Sequence, residues 1–123
     1  MIKMPKTKHY KQSLKPIPPT LRGKKRYVLF ELIAKENAKL SEKNVDDALW
    51  RTFLELYGSV GTARQRIWPI KFDSSRNLGI VRCALEALEE VKAGLLFVKN
   101  VSGTEVIPKI ISVSGSIKQL KAK

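Results

Sequence analysis

One cysteine, one histidine and no long apolar stretch leave this chain of 123 residues with few of the usual chemical options. With Cys83 alone, no internal disulfide can form. Cys83 and His9 together fall short of the four ligands of a structural zinc site. His9 sits in a proline-rich arm and is a poor base for a serine or cysteine nucleophile. Asp46 and Asp47 are adjacent in a helix candidate, so their side chains diverge and cannot share a metal or a proton. Leu56-Tyr-Gly-Ser-Val-Gly-Thr62 looks like a phosphate loop but lacks the lysine-serine or lysine-threonine pair that such loops need. No apolar run approaches the roughly 20 residues of a membrane helix, so no membrane partner is expected. The start, Met1 to Lys8, carries charge with no apolar stretch behind it, so it does not read as a secretory signal. Asn100-Val101-Ser102 matches a glycosylation acceptor, which means nothing without a secretion route. The expectation is a cytoplasmic protein with no catalytic residue and no bound cofactor of its own.

Acid is the other scarcity, and it is local. Residues 1–26 hold nine Lys or Arg, residues 106–123 hold four Lys, and neither segment has one acid. All eleven acids lie between Glu31 and Glu105, where eleven basic residues match them, so the net charge of +13 belongs to the two ends. Within the neutral middle, Arg64, Arg66, Lys71, Arg76 and Arg82 face only Asp73 between Leu56 and Leu85. A basic excess segregated in this way is the electrostatic footprint of a polyanion binder. A membrane surface fits less well, because no helix pairs a lysine-rich face with a strongly apolar one.

Three segments follow: a basic arm over 1–20 with four of the six prolines, a folded domain over 21–117 and a lysine tail over 118–123. Lys24 to Ala34 is rich in β-branched and aromatic residues, and both of its faces are largely apolar, which predicts a central strand covered on both sides. A helix capped by Ser41 or Asn44 presents Val45, Leu49, Phe53 and Leu56 to the core and stops at Gly58. Ser59 to Gln65 reads as a loop. Arg66 to Asp73 reads as a strand that Pro69 places at a sheet edge, and Leu78 to Cys83 as another. Ala84 to Asn100 reads as a helix, or as a helix to Gly94 followed by a strand over Leu95–Val101, because Leu-Leu-Phe-Val suits either state. Val106 to Ser114 is the last strand. The order β-α-β-β-α-β predicts an α+β, RRM-like or ferredoxin-like sandwich, a four-stranded antiparallel sheet with two helices on one face.

RNA recognition of the RRM kind needs aromatic residues on the central strands. Leu78 to Cys83 has none, so the open sheet face is expected to be aliphatic and to need a protein partner or a terminal arm as cover. RNA is then expected at the loops and ends: Arg22, Lys24, Lys25, Arg26, Arg64, Arg66, Arg76 and Lys118, mostly through phosphates. Arg82 is a further candidate, since its side chain leaves the face opposite to Cys83, itself read as a small core residue. Trp50, Leu54 and Tyr57 have helical spacing but lie off the core stripe. They suit a broad core contact, cover by an arm, or, with Leu96 and Phe97, a protein interface.

Four segments in order carry a resemblance: Leu21-Arg-Gly-Lys-Lys-Arg-Tyr-Val-Leu-Phe-Glu31, Leu56-Tyr-Gly-Ser-Val-Gly61, Gly79-Ile-Val-Arg-Cys83 and Val113-Ser-Gly-Ser-Ile-Lys118. The sequence resembles the ribonuclease P protein component 2 family, the archaeal counterpart of a eukaryotic ribonuclease P and MRP subunit, over roughly residues 20–120. The resemblance implies an RRM-like fold whose second helix continues through Leu95–Lys99. It implies a holoenzyme in which a large RNA with bound magnesium removes the 5′ leader from precursor tRNA. It also implies pairing with ribonuclease P protein component 3 and self-association within a heterotetramer. A scaffold protein of another ribonucleoprotein, such as the ribosome, shares the charge, the size and the lack of catalytic groups.

Overall fold

A computed structural model describes residues 24–117. The arm over 1–20, Arg22 and the tail from Lys118 lie outside the described residues.

Strand β1 (Lys25–Ala34) alternates as its sequence dictates, with Val28, Phe30, Leu32 and Ala34 buried on one face. Tyr27, Leu29, Glu31 and Ile33 take the other face, where Ile33 is 45% exposed, so the strand is central but not covered on both sides as expected. A short 3-10 turn, Lys35–Asn37, leads to helix α1 (Glu42–Gln65). Ser41 is its cap, the Oγ accepting from the Asn44 N–H at 3.2 Å.

Val45, Leu49 and Phe53 enter the core, but Leu56 is exposed. The 3.6-residue period would return Leu56 to the stripe, but Tyr57, beside the break in the helix, packs on the core instead. Its ring lies 5.8 Å from that of Phe53. Gly58, at φ 72° and ψ 177°, breaks the helix there in a conformation reserved for glycine. The chain then resumes a helical path through Gln65, so the loop expected at Ser59 to Gln65 is absent. Thr62 and Gln65 on this second piece are buried, and the Thr62 hydroxyl donates to Phe53 O at 3.2 Å across the break.

Strands β2 (Trp68–Asp73) and β3 (Leu78–Ala84) form a hairpin, and β2 is the sheet edge that Pro69 predicted. Gly79 is required by close packing: a Cβ there would lie 2.6 Å from Phe30 and 2.9 Å from Phe72. Helix α2 (Leu88–Leu95) follows a 3-10 turn and buries Val91 and Leu95. It ends at Leu95, so the continuation through Leu95–Lys99 that the resemblance implied is corrected. Ser102 and Gly103 both have positive φ, 51° and 87°, the signature of a two-residue type I′ turn. The Asn100 Oδ1 accepts from the Gly103 N–H at 2.8 Å and pins that turn. A two-residue strand β4 (Asn100–Val101) therefore pairs with β5 (Thr104–Ser114).

The sheet has five strands rather than four, in the order β2-β3-β1-β5-β4, antiparallel at every pairing. Both helices contribute to one buried layer centred on Phe30, Phe53, Val91 and Leu95. Among the described residues no helix is long and apolar enough to cross a membrane.

Candidate nucleic-acid interface

Four strand ends meet at one margin of the sheet: the start of β1, the start of β2, the end of β3 and the end of β5. Lys25 is opposite Ala84, Tyr27 is opposite both Arg82 and Ser114, and Arg82 is opposite Trp68. This register gathers Lys24, Lys25, Arg26, Arg66 and Arg82 at that margin, and Arg22 and Lys118 are its neighbours in sequence. None of the segments 24–29, 66–72, 80–85 and 109–117 contains a carboxylate. Positive residues therefore outnumber acids along these segments, which raises the local potential for an anion. Lys24 and Lys25 are exposed and Arg26 and Arg82 half-buried. The Arg26 guanidinium donates to Lys25 O at 2.8 Å. Among the described residues the Arg82 side chain makes no hydrogen bond or ion pair.

Arg64 and Arg76 belong elsewhere. Arg76 lies in the β2–β3 turn at the opposite margin and pairs with Asp73 at 3.1 Å. Hydrogen bonds from Ser75, then from Arg76, pull the Asp73 carboxyl down to about 2. Arg64 and Gln65 both donate to Glu90 of α2, at 2.9 and 2.8 Å, while the Tyr57 hydroxyl donates to Glu90 O at 2.8 Å. The Gln65 bond and then Arg64 hold the Glu90 carboxyl below its usual range. These two arginines brace a turn and a helix pair. Their side chains stay 70% and 56% exposed, so outer guanidinium edges remain open to solvent.

The outer face of the sheet is aliphatic at one end, as expected, where Ile33 (45% exposed) is opposite Ile107 (66% exposed), and mixed in character toward the other. Register sets Trp68, Arg82, Tyr27 and Ser114 in one row and Lys71, Ile80, Leu29 and Ser112 in the next. A third row holds Asp73, Leu78, Glu31 and Lys109. Aromatic residues are present, contributed by β1 and β2 rather than β3. Composition of one strand could not reveal them, because a row is set by pairing across three strands.

Of the candidate protein-contact residues, Leu54, Leu96 and Phe97 are 46%, 51% and 54% exposed, whereas Trp50 and Tyr57 are half-buried and pack on the core. Trp50 meets Trp68 nearly at right angles, ring centroids 6.3 Å apart. Cys83 is fully buried opposite Arg26, as expected of a small core residue, and burial pushes its thiol up to about 11. Among the described residues no three His, Cys, Asp or Glu side chains converge in a way that would hold a metal ion.

A family model described as the Rpp14/Pop5 family matches residues 26–123. The chain belongs to that family. Among its relatives is a ribonuclease P protein component 2 from Pyrococcus horikoshii, 40% identical over 112 residues, covering 91% of this chain and 92% of the relative. Proteins of the same name from Archaeoglobus fulgidus and Methanocaldococcus jannaschii are 40% and 36% identical, covering 89% and 91% of this chain and 96% and 81% of their own. A chain in the cryo-EM structure of yeast ribonuclease MRP superposes with a TM-score of 0.60 at 11% identity, covering 76% of this chain and 75% of that one. At that identity the likeness is one of fold.

Proposed function

We propose that this chain is a non-catalytic, RNA-binding subunit of ribonuclease P, supporting the catalytic RNA of that enzyme as it removes the 5′ leader from precursor tRNA. The observation that carries the reading is near-full-length similarity to ribonuclease P protein component 2 at 40% identity. The basic margin around Lys24, Lys25, Arg26, Arg66 and Arg82 supports it, with Arg22 and Lys118 as further phosphate contacts. Arg64 and Arg76 offer secondary contacts from their open guanidinium edges.

The role is indirect. Magnesium belongs to the partner RNA, and no cofactor is assigned to this chain. Lysines and arginines neutralise crowded phosphates, so the folded RNA is stabilised and less magnesium is needed for the same fold. Ribonuclease P protein component 3 is the proposed protein partner, with self-association of this chain inside a heterotetramer. Leu54, Leu96 and Phe97 supply the exposed apolar surface for such contacts, flanked by Trp50 and Tyr57. The proposed setting is the cytoplasm.

The test is precursor-tRNA cleavage by a cognate ribonuclease P RNA with component 3 at limiting magnesium, with and without this chain. Stimulation on its addition is the expected result. Tight RNA binding without stimulation would transfer the chain to another ribonucleoprotein scaffold.

A further inference from the structure

The sheet register sets three residues suited to nucleic acid in one row. Trp68 on β2 is opposite Arg82 on β3, and Arg82 is opposite Tyr27 on β1. Two inter-strand steps, roughly 10 Å, separate the two aromatic residues. Trp68 is 56% exposed, and its near-perpendicular contact with Trp50 steadies the ring while leaving more than half its surface in solvent. Tyr27 is half-buried, and Arg82, on the strand between theirs, has a side chain unpaired among the described residues. Exposed Lys24, Lys25 and Lys71 flank the row, and the carboxylates of these strands, Glu31 and Asp73, lie two rows away.

Phosphate neutralisation alone has no use for an exposed indole beside a free guanidinium. Indole and phenol rings offer π-faces to unstacked bases, and arginine bonds the phosphate or stacks in turn. Bases inside an A-form duplex are not available for this, so the ligand must be single-stranded at the point of contact. We infer that the Trp68–Arg82–Tyr27 row takes an unpaired stretch of RNA. One base stacks on Trp68, Tyr27 flanks the adjoining nucleotide, and Arg82 meets the phosphate between them. The contact is tolerant of sequence, because every base has a π-face. This deepens the reading of the chain as an RNA-binding subunit and rests on it.

Two labelled strands of equal charge separate stacking from phosphate contact. One is single-stranded RNA of about twelve nucleotides, within the range that one such surface spans, and the other is an abasic sugar-phosphate strand of that length. Fluorescence anisotropy with the full chain at low salt should show the base-bearing strand bound about tenfold more tightly, the effect of one or two stacked bases. Trp68→Ala should reduce the preference below about threefold without weakening binding of the abasic strand, and Trp68→Phe should restore it. Trp68 is exposed, so these variants leave the core intact. Equal affinity of the wild type for both strands overturns the inference and leaves phosphate binding standing. A preference that survives Trp68→Ala combined with Tyr27→Ala overturns it as well, as a protein or second copy covering the row would require. No binding of either strand overturns both readings.

Discussion

The side-chain carbonyl of Asn77 accepts a hydrogen bond from the backbone N–H of Leu40, 37 residues away in sequence, at 3.2 Å. The other end of the same amide donates to Ala38 O at 2.9 Å, and Asn77 itself sits at φ 53°, which asparagine tolerates better than most residues. One buried amide thus ties the β2–β3 turn to the segment that launches α1. Asn77→Ala removes both bonds and leaves buried Leu40 N–H unpaired, so a loss of roughly 2–4 kcal/mol is expected in urea unfolding. Asn77→Asp keeps the acceptor and loses the donor, and should cost about half as much.

Gly94 offers a sharper steric test. A Cβ there would stand 2.6 Å from two atoms of the Phe53 ring, at the crossing of the two helices. Gly94→Ala should therefore lose about 1–3 kcal/mol by overpacking, despite alanine's better helix propensity. Thermal unfolding followed by circular dichroism measures it, and an unchanged or raised Tm would show that Phe53 yields without strain.

The basic margin should declare itself through salt. Each neutralised phosphate contributes roughly 0.7–0.9 log units of affinity per log unit of salt. Replacing Lys24, Lys25 and Arg26 together by alanine should lower the slope by roughly 2–3. Arg76→Ala, at the far margin and already paired with Asp73, should change it by less than about 0.5. Equal effects from the two sets would place the RNA elsewhere.

Asp73 gives a pH signature. Its carboxyl is lowered in the fold from 3.8 to about 2, so the contribution favours folding above the unfolded value and is lost as pH falls toward 2. Urea midpoints of the wild type and Asp73→Asn should differ at pH 5 and converge near pH 2. Parallel curves across that range would remove the carboxylate from the account.

Much of this was readable from residue types alone. Alternation found β1, Pro69 found the edge strand, and Ser41 found the start of α1, because each is a local preference that the tertiary structure respects. The break at Gly58 was located, but not the resumption of the helix after it, since burial of Thr62 and Gln65 overrides the local signal. A strand before the last one was one of two readings of Leu95–Val101, because its presence depended on whether Leu96 and Phe97 stayed helical. Cys83 was placed correctly in the core. Which basic side chains share a margin was not legible, because Arg82 and Lys25 become neighbours only through strand pairing. The same reason hid the Trp68–Arg82–Tyr27 row, and the braces that occupy Arg64 and Arg76 depend on Glu90 and Asp73 arriving in place.

The sheet order has a consequence for how the chain is made. Among the described residues β1 is the first strand to leave the ribosome, yet its two neighbours are β3 and β5, and β5 is the last. Residues 27–34 of β1 pair with β5, so one whole side of the central strand stays open until nearly the entire domain has been synthesised. Closure is therefore late and long-range, which slows folding and leaves an unpaired strand in the nascent chain. A stop anywhere before Val106 removes the partner of every one of those residues, so shortened chains should be cleared rather than assembled into a particle.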